Sequence, residues 1–457
     1  MTDERALLAR AAELAADWLD TLDTRPVRAE ADYQAMLRAV DAPVPERGTD
    51  PHALIEELAA LAEPGLTAMG SGRFFGFVIG GSLPAATAAD MLATAWDQNT
   101  GLAAPTPATS ALEAVTGRWV LELLGLPAHS SFAFVTGCQM AHVTALAAAR
   151  QGVYERIGYD LRARGLAGAP PLRVIVGGQR HVTLTRALRL LGIGSAQEVV
   201  LPVDDQGRMA VELLDDACAG DAPTIVCAQA GEVNTGAFDD LRAVVDIAHS
   251  HGAWVHVDGA FGLWAAASPR LLHLVDGHSG ADSWATDAHK WLNVPYDCGI
   301  ALCAHPQVHA AAMEYAAPYL SVADSEAERD PMGFSPEFSR RARALPAWAA
   351  IRSLGRTGVA AMVESSCASA RAIAEGVAAI PGCEIVNDVV LNQVLVRLET
   401  DDRTRAVLAA IQQEGEAYPS QGMWQDRATI RVSVSCWRTD DGDVRRTIAA
   451  FERAAAA

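Results

Sequence analysis

Two periods of hydrophobic residues run through this chain, and the places where one gives way to the other divide it. Near the start, Leu7, Leu8, Ala11, Leu14 and Trp18 recur at helical spacing. Such a stripe predicts an amphipathic helix packed against another domain or a partner subunit. This helical, acidic region extends to about Glu63, and Pro64-Gly65 punctuates its end. From roughly 70 to 310 helical segments alternate with short apolar runs. The runs are Phe132 to Val135, Leu172 to Val176, Thr224 to Ala228, Ala253 to Val257 and Gly299 to Cys303. Leu112, Val115, Trp119 and Leu123 form one helical face; Val182 to Leu191 and Leu241 to His249 are further helices. Strands alternating with helices imply an α/β fold, a mostly parallel central sheet with helices on both faces. Ligands in such sheets sit at the strand carboxyl ends. Beyond about 330 the pattern changes: Leu391 to Leu398 and Thr429 to Val434 read as strands, and Val444 to Ala456 as a closing helix behind Asp440, Asp441 and Asp443. The expected division is an N-terminal helical segment (1–65), a large α/β domain (66–330) and a smaller C-terminal α+β domain (331–457).

Composition narrows the class. The chain has 457 residues, half of them hydrophobic (50%), enough for more than one core. A net charge of -20 argues against nucleic acid or an anionic membrane as the main partner, and an anionic cofactor then needs local geometry to hold it. The eight cysteines form no CxxC pair, which predicts free thiols in a reducing compartment. The charged start, Met1-Thr2-Asp3-Glu4-Arg5, does not read as a secretory signal, and no apolar run is long enough to span a membrane. A cytoplasmic location is the expectation.

Candidate chemistry gathers around Lys290, in Thr286-Asp287-Ala288-His289-Lys290-Trp291. Lysine is scarce in this chain, and an amine that can deprotonate is something arginine cannot supply. The flanking Trp291, Leu292 and Val294 argue against a surface position. Asp258 closes the apolar strand Ala253 to Val257, where a buried carboxylate needs a cationic partner. That partner is either a structural arginine or a protonated ring nitrogen. An acid at one strand end and a lysine past the next suit pyridoxal 5'-phosphate (PLP): the lysine forms a Schiff base with its aldehyde, and the aspartate keeps its pyridine nitrogen protonated. Thr136-Gly137-Cys138-Gln139 joins a strand to a helix, a turn whose free N–H groups suit a phosphate. His181 opens a helix, either stacked on the cofactor ring or as a plain amino-terminal residue. His289 either touches the phosphate and orients the lysine or only packs. Arg431 grips a substrate carboxylate or pairs with an acid of the small domain.

In this order the phosphate turn, His181, Asp258-Gly259-Ala260 and Ser283 with His289-Lys290-Trp291 resemble the group II pyridoxal-dependent decarboxylases, which include the aromatic amino acid and glutamate decarboxylases. The resemblance runs from about Arg73 to Arg438. It implies the fold-type I PLP architecture and a homodimer with active sites at the interface. It also implies Lys290 as the Schiff-base lysine, Asp258 on the pyridine nitrogen, His181 on the ring and Cys138 and Gln139 at phosphate positions. The implied activity is decarboxylation of an L-amino acid to its amine. Phe77 matches an aromatic substrate position, whereas Val78 replaces another. Asp287 stands where relatives carry asparagine, and Glu232-Val233-Asn234 where they carry hydroxyl residues. In this resemblance the mobile-loop tyrosine linked to carbanion protonation falls at Asp330-Pro331-Met332, where there is none, and Tyr319 matches a different position. Loss of that tyrosine is associated in the family with oxidative deamination. A carbon–carbon lyase, an oxidative deaminase and an aminotransferase are therefore the competing readings.

Overall fold

The computed structural model describes residues 3–313 and 329–457. Seven strands form the central sheet: β1 (Ser131–Val135), β2 (Arg173–Gly177), β3 (Glu198–Leu201), β4 (Thr224–Gln229), β5 (Trp254–Asp258), β6 (Ser283–Asp287) and β7 (Gly299–Cys303). Their order is β1-β7-β6-β5-β4-β2-β3, and β7 alone runs against its neighbours. The five apolar runs read from the sequence coincide with β1, β2, β4, β5 and β7 to within one residue at each end. β6 escaped that reading because Ser283, Thr286 and Asp287 dilute its apolar signal, although all five of its residues are buried. β1, β4, β5 and β7 are likewise buried throughout, as expected of strands covered on both faces.

The second sheet holds β8 (Glu384–Ile385), β9 (Gln393–Arg397), β10 (Ser420–Trp424) and β11 (Arg427–Ser433) in the order β10-β11-β9-β8, all antiparallel. It has its own core, in which Val394, Val396, Ile430 and Val432 meet Ile373, Ile411 and Phe451 from helices 344–378, 401–414 and 441–456. Asp440 caps the last helix by accepting from the backbone N–H of Asp443. The main core lies under the large sheet, with Trp264, Trp284 and Trp291 fully buried among Val226, Val255 and Ile300. The N-terminal helices, Glu4–Asp20, Tyr33–Val40 and Pro51–Ala62, contain no buried residue. Among the described residues, no helix is long and apolar enough to cross a membrane.

Candidate active site

Lys290 sits where the sheet changes direction. β7 folds back on β6, with Asp287 opposite Gly299, so the connection between them loops over the sheet edge. Trp291 and Leu292, both fully buried, anchor that loop. Asn293 clamps it: its Oδ1 accepts from the N–H of Gly81 (2.7 Å) and of Trp437 (3.0 Å), and its Nδ2 donates to the carbonyls of Trp291 and Ser435, each at 3.0 Å. Asn293 has φ +53°, a left-handed conformation that asparagine tolerates better than most residues. The 76–81 segment lies directly on the loop. A Cβ on Gly80 would stand 1.8 Å from the Lys290 carbonyl oxygen, so only glycine permits the approach. In the same segment Phe77 and Val78 both have positive φ (60° and 55°), which is costly for a β-branched residue and marks a strained stretch beside the lysine. Val78 is buried, whereas the Phe77 ring is 61% exposed.

Of the 36 lysine and arginine residues, Lys290 is the only lysine. Its Nζ lies 3.1 Å from Asp287 Oδ2. Burial works against the ammonium form, but Asp287, with Cys138 and Asp258 beyond it, raises the pKa above the usual lysine value. Asp258, the last residue of β5, is buried. Its Oδ1 accepts from Ala260 N–H (3.2 Å), and its Oδ2 lies 3.5 Å from His142 Nε2. Burial would push this carboxyl up, yet His142, then His181 and Lys290, outweigh burial and hold it well below the usual range. No arginine pairs with Asp258 among the described residues, so the structural-arginine alternative is not realised.

His181 caps the helix Val182–Leu190, its Nδ1 accepting from Thr183 N–H at 3.3 Å. Burial lowers its pKa and keeps the ring neutral, with Asp258, Lys290 and Arg431 near enough to act on it electrostatically. His289 Nδ1 accepts from Cys298 N–H (3.1 Å), so its proton sits on Nε2, which lies 3.5 Å from Asp287 Oδ1. Tyr296 stacks on the same imidazole, centroids 4.3 Å apart.

The turn after β1 opens the helix Cys138–Arg156 at Gly137, which offers its first-turn N–H groups no side-chain cap. A Cβ on Gly137 would come 3.2 Å from His289 Cε1 and 3.7 Å from Asp287 Oδ1, so turn and lysine loop face each other. Thr136 and Gln139 are half-buried there, without side-chain hydrogen bonds among the described residues. The structure thus brings Lys290, Asp258, His181, Cys138, Gly137 and His289 together. It leaves the Phe77 side chain in solvent in the single chain. Arg431 forms no salt bridge among the described residues: its Nη1 donates to Val233 O and Asn234 Oδ1, each at 3.3 Å, and its Nε is buried without a hydrogen-bond partner among them. Glu232 is buried as a brace of its own turn. It accepts from the N–H groups of Asn234 and Thr235 (2.7 Å each) and from Asn234 Nδ2 (2.9 Å), while burial raises its pKa. Asp330-Pro331-Met332 is described and carries no phenol; Tyr319 lies outside the described residues.

The pyridoxal-dependent decarboxylase conserved domain matches residues 34–399, four-fifths of the chain. The chain belongs to the pyridoxal-dependent decarboxylase family. It is a PLP-dependent enzyme of the carboxy-lyase type. An aromatic-L-amino-acid decarboxylase of Bacillus atrophaeus is 29% identical over 366 residues, 77% of this chain and 72% of that one. The structure of Oryza sativa TDC with PLP and tryptamine superposes with a TM-score of 0.92 at 24% identity, over 99% of this chain and 98% of that one. Rhodiola rosea 4-hydroxyphenylacetaldehyde synthase superposes with a TM-score of 0.88 at 23% identity, over 100% and 99%.

The residues of this family member suit the cofactor. A half-buried amine stands near a buried ionised carboxylate, and an uncapped helix amino terminus opens beside them. Asp287 Oδ1, buried with no hydrogen-bond donor among the described residues, lies at the same turn. Four contributors were missed in the sequence: Asn293, Gly80, His142 and Tyr296. Each acts through a partner more than 40 positions away or through a backbone approach, except Tyr296, which an aromatic six residues past the lysine could have flagged.

Proposed function

We propose that this enzyme removes CO2 from an L-amino acid and releases the amine, as a homodimer. The observation that carries the reading is the chain's only lysine within electrostatic reach of an ionised Asp258, beside the phosphate-type turn. Bound PLP supplies an electron sink for the bond that breaks at the substrate α-carbon. Lys290 Nζ is the amine that would hold the cofactor through its aldehyde. Asp287, at 3.1 Å, holds the lysine ammonium in place. Asp258 would hold a proton at the pyridine nitrogen, neutral His181 would cover the ring, and the N–H groups from Cys138 onward would meet the phosphate, with Thr136, Gln139 and the His289 Nε2–H beside them. Arg431, whose hydrogen bonds are long and go only to neutral oxygens, is free to grip a substrate carboxylate. Phe77, on a strained segment and exposed in one chain, lines the substrate side.

The dimer reading rests on helices 4–20 and 51–62. They bury no residue and frame an open groove of about 720 Å³ lined by Leu14, Trp18, Leu58 and Leu66. A cytoplasmic location and the division at residues 65 and 330 belong to the same proposal; eight free cysteines support a reducing compartment.

Aldehyde release is the second reading, because aldehyde synthases stand among the relatives. Product analysis across a panel of L-amino acids tests both, with tyrosine, tryptophan, glutamate, aspartate and diaminobutyrate included. One substrate yielding CO2 and its amine in equal amounts is the expected result; aldehyde, ammonia and hydrogen peroxide would replace the first reading by the second. Tyr319→Phe checks that Tyr319 does not replace the loop tyrosine: an unchanged product is expected, and a change from amine to aldehyde would make Tyr319 the proton donor.

A further inference from the structure

Behind Asp258 lies a chain of buried polar side chains that the proposed chemistry does not use. Trp254 Nε1 donates to Ser283 Oγ at 2.9 Å. Ser283 Oγ lies 2.9 Å from His256 Nδ1, His256 Nε2 lies 2.9 Å from His142 Nδ1, and His142 Nε2 lies 3.5 Å from Asp258 Oδ2. His142, His256 and Ser283 are fully buried, and Trp254 is 1% exposed. Two strands and one helix contribute: Trp254 and His256 face along β5, Ser283 opens β6, and His142 lies in the first turns of the helix behind the phosphate-type turn.

The two ends fix the direction of every hydrogen in this chain. An indole N–H only donates, and an ionised carboxylate only accepts. If Ser283 O–H donates to His256 Nδ1, the His256 proton sits on Nε2 and donates to His142 Nδ1. The His142 proton then sits on Nε2 and points at Asp258. The opposite polarity would set a bare His142 nitrogen against the carboxylate, two acceptors facing each other in a buried site. Burial, with His142 second, lowers the His256 pKa to about 3, so the ring is neutral, as the one-way order requires. Cys138 Sγ lies 3.5 Å from His142 Nε2, and Cys138, His142 and Asp258 stand close enough together to touch one cation. Burial, then Asp287 and Asp258, keeps that thiol protonated, which is the wrong form for a metal ligand.

We propose that His142 and His256 are positioning residues, a one-way hydrogen-bond relay from Ser283 that keeps Asp258 ionised and aimed at the cofactor's pyridine nitrogen. A carboxylate this deeply buried loses its charge unless donors compensate it. Ala260 N–H supplies one oxygen, and the relay supplies the other. The inference rests on Asp258 being the pyridine partner.

The test loads the enzyme with PLP labelled with nitrogen-15 in its ring. It reads the ring-nitrogen chemical shift and the cofactor dissociation constant for wild type, His142→Asn, Ser283→Ala and Asp258→Ala. His142→Asn is expected to move the shift toward unprotonated pyridine and to weaken cofactor binding roughly tenfold or more, the scale of a hydrogen bond to a charged group. Ser283→Ala is expected to move the shift the same way by less, and it gives a readout should the histidine variant not fold. A wild-type shift in both variants, with Asp258→Ala displaced, would overturn the relay and leave the Asp258 assignment standing. A wild-type shift in Asp258→Ala as well would overturn that assignment too. Weaker binding at an unchanged shift would assign His142 to packing and also overturn the relay.

Discussion

At the scale of single residues, the site is assembled by side chains of two kinds, and only one kind is visible in the sequence. Asp258 and His181 announce themselves because one ends an apolar strand and the other opens a helix, and Lys290 because it is the chain's one lysine, flanked by Trp291 and Leu292. Asn293 does not, because its four hydrogen bonds reach Gly81, Trp437 and Ser435, up to 212 positions away. Glu232 stands where relatives carry hydroxyl residues, and the structure turns its carboxylate back into its own loop. Asn293→Ala is expected to leave the buried N–H of Gly81 without an acceptor and to cost about 2 kcal/mol or more in chemical denaturation. A loss below about 0.5 kcal/mol, the range of an ordinary surface change, would show that the clamp is incidental.

At the scale of elements, the strand ends were legible and the ties between them were not. Apolar runs give strands, and strand ends give the ligand edge, but charge clusters joining one element to the next depend on register. Asp282, just before β6, accepts from Val255 N–H (2.7 Å) in β5, from His249 Nε2 (3.0 Å) in helix 241–250 and from His305 Nε2 (2.7 Å) after β7. Burial would raise the Asp282 pKa, but His249, His305 and the Val255 N–H together lower it below 3.8. Its contribution to stability is therefore present above pH 3.8 and lost as pH falls through the lowered value. The hydrogen bond to Asp282 raises the His249 pKa above 6.5 against the effect of burial. That contribution is full below pH 6.5 and lost as pH rises through the raised value. The melting temperature of His249→Gln should thus fall furthest below wild type at about pH 5 and approach it above about pH 8. A gap independent of pH would assign the ring a packing role only.

At the scale of the whole molecule, the two cores and both sheets close without the three N-terminal helices burying a residue in a single chain. The sequence stripe of Leu7, Leu14 and Trp18 predicts packing against another domain or a subunit, and pattern alone does not choose between them. Leu54 and Leu58 remain 48% and 56% exposed, which favours a second copy of the chain. Sedimentation of the wild-type enzyme should give a dimer, and replacing both leucines with aspartate should shift it toward monomer with unchanged far-ultraviolet circular dichroism. A wild-type monomer at assay concentration would remove the homodimer from the account.

The central claim, that the chain's one lysine carries the cofactor, has a direct measurement. Borohydride reduction of the PLP-loaded enzyme, followed by proteolysis and mass mapping, reads where the cofactor is attached. The account predicts one pyridoxyl adduct, on the peptide containing Lys290, and none in Lys290→Ala. A stoichiometric adduct in Lys290→Ala, or cofactor that reduction never fixes to the wild-type chain, would contradict it.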